Sequence, residues 1–273
     1  MTVNKGLLNN SITKAITILN CFSYEKPRLR LKDISDITGI NQPTAYRLLN
    51  TLKEFSLIEQ HEGNYLLGRG FLKYEGIVLN SMEIRRICLP YLEELSNNLK
   101  LNVNLAVLDG NEVIYVARAE TPYCMYGYFH IGMRRPIYCT ALGKVLVCKS
   151  LEIVREVFKR EVNRYTLHTI TDEEIFVKEI EKVRLQGYAV DLEEWNNGIN
   201  CIAAPLYDAS GKVIAGISIS GPTSVQPLEK LMEYVPILIE YSNRLSARMG
   251  SRGGWYIYIL NRISLKKKLC FNI

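Results

Sequence analysis

Apolar side chains in the first quarter of the chain recur at the spacing of amphipathic helices. The pattern predicts a first helix beginning near Ser11, which we expect to cap it, and a second helix over residues 31–38. Gly39 is the expected C-terminal glycine of the second helix, and a third helix covers residues 41–52. Two helices separated by a short glycine turn are typical of a helix-turn-helix arrangement.

The third helix has one apolar face and one polar face. Its apolar positions, at i, i+3, i+4 and i+7, must be buried; they are Ala45, Leu48, Leu49 and Leu52. Its opposite side carries donors and acceptors that can reach base edges in a major groove and the flanking phosphates. These residues are Gln42, Thr44, Tyr46, Arg47 and Asn50. We expect Asn41 or Gln42 to cap the helix, and Pro43 fits its first turn. An ordinary amphipathic surface helix would show the same apolar periodicity.

The segment after the third helix predicts a β-hairpin. Residues 57–60 and 65–67 are strand-like, and the turn-forming tetrad 61–64 joins them. A hairpin directly after a helix-turn-helix is the wing of a winged helix. Lys53, Asn64 and Arg69 complete the set of expected DNA contacts. The alternative is a winged helix that binds protein and never DNA.

The next 30 residues predict a helical connection. A helix over 71–79 ends at a candidate joint, Asn80-Ser81, and a second helix extends to about Leu99. Pro90 lies inside that second helical pattern and predicts a kink or a break.

From Asn102 the apolar period becomes that of strands. Residues 103–108 and 113–119 flank the turn Asp109-Gly110-Asn111, and residues 123–129 form a further candidate strand. Helices are predicted from Thr140, from a capping box at 171–174 to Gly187, and over 227–249; strands are predicted over 201–207 and 213–220. An antiparallel sheet flanked by helices, with a separate N-terminal module, is an α+β architecture.

Length and composition suit two globular domains. The chain has 273 residues, 48% of them hydrophobic and 23% charged, and a formal net charge of +6. The basic residues after Gly250 are unopposed by acids and supply +5 of this charge. Residues 1–75 carry ten Lys or Arg against seven Asp or Glu, so one copy should bind phosphates weakly. We therefore expect DNA binding by a multimer.

The spacing of the cysteines and the sequence of the N-terminus indicate an intracellular protein without a cofactor. Seven scattered cysteines form no C-x-x-C pair and show no zinc spacing with the three histidines, which suits reduced thiols and no metal site. No signal peptide or membrane span is apparent. We expect a soluble, cytoplasmic protein with no membrane partner.

The second hypothesis is that the chain is an enzyme acting on a small carboxylic acid. Three features of the sequence bear on it. Lys144 would need desolvation or a second cation to act as a nucleophile, so a solvated or structural role is favoured. Glu193 and Glu194 are adjacent and should point apart. No G-x-S-x-G, H-E-x-x-H, P-loop or dinucleotide motif is present, and no catalytic residue is predicted.

Several stretches together resemble the IclR family of transcription regulators. The N-terminal half contains RLKDISDITGINQPTAYRLLNTLKEFSLIE and GNYLLGRG. The C-terminal half contains NLAVLDGNEVIYVAR, CTALGKVLV and GYAVDLEEWNNGINCIAAPLYDASGKVIAGISISGP. The resemblance covers about residues 11–248, in both halves and in the right order. The tail from Gly250 matches nothing in the family pattern.

The resemblance implies a winged helix-turn-helix domain over 1–70, a helical linker over 71–82, a GAF- or profilin-like effector domain over 83–249, and a disordered basic tail over 250–273. It implies a repressor or activator that binds double-stranded operator DNA as a homodimer or a dimer of dimers. Its effector would be a small organic or sugar-derived acid.

The resemblance also implies an effector pocket. The residues carried over are Ala141, Leu142, Asp191, Ile199 and Cys201, and the amides at the start of the helix with Ala141 would attract a carboxylate. Each residue has a simpler alternative: Asp191 could cap a turn, Cys201 could be a core thiol, and Ala141 and Leu142 could only pack. Some relatives have smaller residues at 141 and 142, which suggests a narrower pocket here.

Overall fold

The computed structural model describes residues 8–122, 129–160 and 162–251. The chain divides into two compact units, Met1–Ser81 and Met82–Ile273, and each has its own core. In the described part of the chain, no helix is long and apolar enough to cross a membrane. The predicted tail disorder beyond residue 251 and the predicted strand at 123–128 lie outside the described residues.

Over residues 8–81, the first unit consists of four helices and a small antiparallel sheet. The helices are α1 (Asn10–Leu19), α2 (Leu31–Thr38), α3 (Gln42–Glu54) and α4 (Gly70–Ser81). The sheet has the order β1 (Leu29–Arg30), β3 (Asn64–Leu67), β2 (Ile58–His61). Its core joins α1, α2, α3 and the sheet through Ile18, Ile34, Ala45, Leu49, Ile58 and Tyr65, each at most 2% exposed.

One helix cap of the first unit differs from the predictions. Asn9, and not Ser11, caps α1, because its side chain accepts from the backbone amides of Ser11 and Ile12 at 3.0 and 3.1 Å. A capping side chain bonds the second or third amide of its helix, and Ser11 already lies in the first turn. Asn41 caps α3 and accepts from the Thr44 amide at 3.0 Å.

Two turns hold the helix-turn-helix and its wing in shape. Gly39 follows α2 with a φ of +70°, in the left-handed region where glycine costs least. The wing reverses over Glu62 and Gly63, whose φ values are both positive, so the turn is two residues tighter than the predicted tetrad. The two-residue strand β1, which pairs with β3, was not predicted.

The second unit begins with α5 (Glu83–Leu99), which passes through Pro90 without a break. Of the predicted kink or break, the break does not occur, although Pro90 removes one hydrogen bond donor. Cys88, Leu92 and Leu95 on one face of α5 are at most 1% exposed, and this packing against the core retains the helix.

A six-stranded antiparallel sheet forms the centre of the second unit. Its order is β6 (Arg134–Pro136), β5 (Glu112–Ala119), β4 (Asn102–Asp109), β9 (Val213–Pro222), β8 (Ile199–Tyr207), β7 (Ala189–Leu192). The hairpin β4–β5 forms around the predicted turn Asp109-Gly110-Asn111, and the hairpin β8–β9 contains the strands predicted over 201–207 and 213–220. The short strands β6 and β7 were not predicted.

Helices cover both faces of this sheet. One core contains α5, α9 (Leu228–Met232) and α10 (Val235–Arg248); the other contains α6 (Ala141–Leu146), α7 (Leu151–Phe158) and α8 (Glu173–Gln186). The single helix predicted over 227–249 is thus two helices, separated at Glu233 and Tyr234 just before Pro236. Gly187 ends α8, as predicted. The cap is Asp172, which accepts from the Ile175 amide at 2.9 Å, and not Thr171, the first residue of the predicted capping box.

Two glycines permit the close packing of α6, one against the sheet and one against the backbone of Ile137 in the segment that precedes the helix. A Cβ on Gly216 of β9 would be 2.9 Å from Val145 and 3.0 Å from Leu142. A Cβ on Gly143 of α6 would be 2.2 Å from the carbonyl oxygen of Ile137. The cleft described below is lined by Ser218 and Ser220, two and four residues further along β9 from Gly216.

Candidate functional site

The first candidate surface is the polar side of α3. Gln42, Tyr46 and Arg47 are exposed, and Tyr46 retains 51% of its accessible surface. Thr44 and Asn50 are half-buried. On the other side Ala45, Leu49 and Leu52 are buried in the core, while Leu48 is partly buried against it. The outward set therefore occupies one continuous face that the core of its own unit does not use.

Three further predicted contacts, Lys53, Asn64 and Arg69, are held by the wing. The Lys53 ammonium donates to Gln60 Oε1 at 2.8 Å, and the Asn64 amide donates to the Glu62 carbonyl at 3.4 Å. Arg69 Nε donates to Glu59 Oε1 at 3.0 Å, and this contact lowers the pKa of Glu59. The Arg69 side chain nevertheless keeps 85% of its surface exposed. These contacts hold the cationic side chains of Lys53 and Arg69 beside the hairpin.

The second candidate site is a cleft on the α6 face of the large sheet. It is partly open to solvent. All six strands of the sheet, the segment before β6 that contains Phe129, the start of α6 and the β7–β8 loop supply its lining. The lining residues are Asn104, Tyr115, Phe129, Arg135, Thr140, Leu142, Asp191, Trp195, Asn196, Ile199, Cys201, Ser218 and Ser220.

The structure brings four of the five predicted effector residues together in this cleft. Leu142, Asp191, Ile199 and Cys201 line it, whereas Ala141 is fully buried and does not. Two amides near the start of α6 are already occupied within the protein. The Gly143 amide donates to Thr140 Oγ1 at 3.0 Å, and the Lys144 amide donates to the Thr140 carbonyl at 3.1 Å.

Sequence reasoning missed the cleft residues that come from distant segments. Arg135 and Trp195 lie 60 positions apart, yet the guanidinium carbon is 4.1 Å from the centre of the indole ring. Asn104 and Ser218 are 114 positions apart and are neighbours only because β4 pairs with β9. Alternation along the strands marks the cleft-facing side of each strand, but the pairing of the strands has to be known first.

Asp191 shapes the cleft and lines it. Its carboxylate accepts from the Glu194 backbone amide at 2.8 Å and thereby holds the loop that carries Trp195, so the turn-capping alternative is also correct. Burial and the nearby Glu194 carboxylate raise the pKa of Asp191 to about 7. The cleft thus contains a carboxyl group that changes charge near neutral pH.

A buried ion pair lies beside this loop. Lys144 is 1% exposed and donates to Glu194 Oε1 and to the Val190 carbonyl, the latter at 2.7 Å. Glu179 Oε1 lies 3.8 Å from the ammonium. Thr169 donates to the Glu194 carbonyl at 2.7 Å, and Thr166 donates to the neighbouring Glu193 carbonyl at 2.6 Å. Lys144 is therefore a structural cation, and the solvated alternative is wrong.

Aromatic side chains form the walls of the cleft. The lining residues Tyr115 and Phe129 have their rings 5.5 Å apart, and the ring of the lining residue Trp195 lies 4.1 Å from that of Tyr165, which does not line the cleft. Burial raises the pKa of the Cys201 thiol far above neutrality, so Cys201 is a protonated thiol and not a nucleophile. With one guanidinium, aromatic walls and a polar floor, the cleft can bind a small anionic molecule.

Comparison with known proteins identifies both units. The family profile described as the IclR helix-turn-helix domain matches residues 11–62, and the profile of the bacterial transcriptional regulator IclR C-terminal domain matches residues 76–247. The HTH-type transcriptional regulator KdgR of Escherichia coli is 33% identical over 246 residues, which cover 88% of this chain and 93% of that protein.

Solved structures agree with these matches. IclR from Thermotoga maritima superposes with a TM-score of 0.70 at 29% identity, over 88% of this chain and 99% of the other. An IclR homologue from Microbacterium hydrocarbonoxydans, solved with 4-hydroxybenzoate, gives a TM-score of 0.75 at 22% identity, over 88% and 98%.

These matches decide between the two main hypotheses. The two family profiles match the first and the second unit in the expected order, and the similar KdgR protein is a transcriptional regulator. No match supports the enzyme alternative. The α+β architecture, with an N-terminal helix-turn-helix and a C-terminal antiparallel sheet, is that of the solved relatives. The chain belongs to the IclR family of bacterial transcriptional regulators, which bind DNA through the first unit and a small molecule through the second.

Proposed function

We propose that α3 reads operator DNA in the major groove through Gln42, Thr44, Tyr46, Arg47 and Asn50. The observation that carries this proposal is the division of α3 into a buried apolar face and an outward polar face. Lys53, Asn64 and Arg69 sit on or beside the wing, where they suit contacts with the phosphate backbone. The wing contacts leave the Arg69 guanidinium exposed, so a phosphate can approach it without breaking the Glu59 pair.

The test is operator binding by the Arg47→Ala and Thr44→Ala variants, with operator selected from a pool of random duplexes. Loss of a base contact costs about 1–3 kcal/mol, so Arg47→Ala should weaken binding about 10-fold or more. Arg155→Ala, which removes an exposed arginine from α7, is the charge-matched control and should leave binding unchanged. Selective DNA binding that is equal in Arg47→Ala and in the control would refute the assignment of α3.

The proposed ligand of the cleft is a small organic acid whose carboxylate binds Arg135. Arg135 is the cationic side chain among the cleft-lining residues that the structure describes. The homologue solved with 4-hydroxybenzoate supports an acid as the class of ligand. A thermal-shift screen of sugar acids, keto acids and aromatic acids tests this proposal, because a ligand of the folded state raises Tm by mass action. Arg135→Met should abolish any shift that depends on the carboxylate.

We further propose that the protein acts as a homodimer or a dimer of dimers. Helix α4 buries none of its residues within its own unit, and it carries a run of exposed apolar side chains. These are Leu72, Tyr74, Ile77 and Val78, each more than half exposed, and Ile12 and Ile16 on α1 are at least half exposed too. Apolar surface of this extent is typical of an interface. Sedimentation of the full chain over a range of concentrations measures the association.

A further inference from the structure

The indole ring of Trp195 contacts both a cation and a second aromatic ring. The guanidinium carbon of Arg135 is 4.1 Å from the centre of the indole ring. The ring centre of Tyr165 is also 4.1 Å from it, with the two aromatic planes inclined by 45°. Arg135 and Trp195 line the cleft, whereas Tyr165 does not. The cation of the cleft is therefore linked, through one indole ring, to a residue outside the cleft.

Hydrogen bonds fix the backbone of the loop that carries Trp195. The Glu194 amide donates to Asp191 Oδ1 at 2.8 Å, and Thr169 Oγ1 donates to the Glu194 carbonyl at 2.7 Å. These bonds hold the loop backbone and do not involve the indole. The orientation of the indole ring is therefore set by the side chains that pack against it, which include Arg135 and Tyr165.

Tyr165 belongs to a short segment, residues 163–169, which we call the strap. The Tyr138 hydroxyl accepts from the Asn163 amide at 2.9 Å at the start of the strap. The Tyr165 amide donates to Thr169 Oγ1 at 3.0 Å near its end. The ring of Tyr165 also stacks on that of Tyr138, with centroids 6.4 Å apart and planes inclined by 24°. Tyr165 is thus held both at its backbone and at its ring.

The contact between Arg135 and Trp195 is compatible with anion binding. A guanidinium binds carboxylates through N–H donors that lie in its plane, and its face is the part that stacks on aromatic rings. An aromatic contact therefore restricts the flexible arginine side chain without taking the place of an anion. The position of the indole determines where in the cleft the guanidinium lies.

Resting on the proposed binding of an acid by Arg135, we propose that Tyr165 is a positioning residue of the cleft. Its ring holds the Trp195 indole against Arg135, and the indole holds the guanidinium where it meets an anion. Tyr165 itself touches no ligand. Without its ring, the indole turns away, Arg135 loses its aromatic contact, and the cation is no longer kept beside Trp195.

The fluorescence of Trp195 measures this arrangement. The chain has two tryptophans, Trp195 and Trp255, so the full chain with Trp255→Phe is a single-tryptophan reporter. Iodide is an anionic quencher and acrylamide a neutral one. Greater exposure of the indole raises both quenching constants, whereas a nearby positive charge raises only that of iodide. The ratio of the iodide constant to the acrylamide constant, at one pH and one ionic strength, therefore reports the cation beside the indole.

The expected results compare four substitutions in the reporter. Arg135→Met should lower the ratio at least about 2-fold, because a unit charge about 4 Å away concentrates iodide about 5-fold even at the dielectric constant of water. Tyr165→Ala should lower the ratio most of the way to the Arg135→Met value. Tyr165→Phe keeps the ring and should keep the ratio. Leu167→Ala is the matched control on the strap, because Leu167 is 89% exposed, and it should keep the ratio too.

The fold of each variant is checked by circular dichroism. Tyr165 is 39% exposed, so its substitution should leave the core of the second unit intact. Tyr165→Leu retains an apolar side chain that cannot stack, and it gives the same comparison if the alanine variant does not fold. It should lower the ratio as the alanine variant does.

The failures of the two proposals are distinguishable. If Arg135→Met lowers the ratio and Tyr165→Ala does not, the positioning role of Tyr165 is overturned and Arg135 remains the anion-binding cation. The same follows if Tyr165→Phe or Leu167→Ala lowers the ratio as far as Tyr165→Ala. An unchanged ratio in Arg135→Met would show that Arg135 attracts no anion beside Trp195, and it would overturn the proposed role of Arg135 together with this inference.

Discussion

Single buried polar groups decide how the cleft behaves. The Asp191 carboxyl group accepts from the loop backbone, lies next to the Glu194 carboxylate, and has little water around it. Lys144 of α6 neutralises part of this acidic cluster through its contact with Glu194. Since the Lys144–Glu194 pair is buried, removal of one member alone would leave an uncompensated charge. The ion pair therefore fixes the loop of Trp195, and Asp191 determines the charge of the cleft.

Asp191→Asn should stabilise the protein at alkaline pH. The pKa of Asp191 is raised in the folded state to about 7, so the folded protein binds this proton more tightly than the unfolded chain does. Stability is thereby lost as pH rises from about 4 to about 7, by roughly 2–4 kcal/mol. Asparagine cannot ionise and escapes this loss. Urea unfolding of both proteins at pH 5 and pH 8 measures the effect.

The control for this substitution is Asp208→Asn, in the β8–β9 turn. Asp208 accepts from the backbone amides of Ser210 and Lys212 and from the Ser210 hydroxyl, and these bonds lower its pKa. These hydrogen bonds stabilise the ionised Asp208 carboxylate at every pH above the pKa that the group has in the unfolded chain. The Asp208→Asn variant should therefore be less stable than the wild type at both pH 5 and pH 8. A loss for Asp191→Asn at pH 8 would contradict the account of Asp191.

At the scale of elements, close contact between α6 and its surroundings positions the start of the cleft. Gly143 faces the Ile137 backbone, and Gly143→Ala would place a Cβ 2.2 Å from a carbonyl oxygen that cannot move alone. We expect a loss of about 2 kcal/mol or more in the free energy of unfolding. Gly76→Ala is the matched helical control on α4, where nothing lies within 4 Å. It should gain about 0.5–1 kcal/mol, because alanine restricts the unfolded chain.

Urea titration of both glycine variants gives the comparison. Equal stability of Gly143→Ala and the wild type would mean that α6 can move away from Ile137. In that case the variant should also bind cleft ligands differently, because Thr140 and Leu142 line the cleft from the same helix.

Elements with strong local signals were predictable from the sequence, and those that depend on pairing were not. The third helix was predicted from its apolar spacing and Pro43, and the β4–β5 hairpin from Asp109-Gly110. Strands β1 and β6 have two and three residues, too few for a periodic pattern, and exist only through their partners. The same limit applies to the cleft, since Leu142 followed from a family motif whereas Asn104 depends on strand pairing.

At the scale of the whole molecule, charge and apolar surface both favour pairing. The ten basic and seven acidic residues of positions 1–75 leave one copy with a small positive charge, so its nonspecific affinity for phosphates is low. Two recognition helices on half-sites about 34–36 Å apart would combine their affinities. The exposed side chains of α4 lie in the same unit as α3. Association would thus bring two DNA-binding surfaces into one particle.

Ile77→Glu should therefore produce a monomer that binds the selected operator at least about 100-fold more weakly, since the second half-site no longer contributes. Ile77 is 60% exposed, so the substitution leaves the core of its unit intact and circular dichroism should not change. Ile175→Glu on α8 is the matched control, because Ile175 is 56% exposed and lies in the other unit. Analytical ultracentrifugation and operator titration give the two readouts.

A dimeric Ile77→Glu protein with full operator affinity would exclude α4 as the interface. A monomeric Ile77→Glu protein with full affinity would show that one copy is sufficient for recognition.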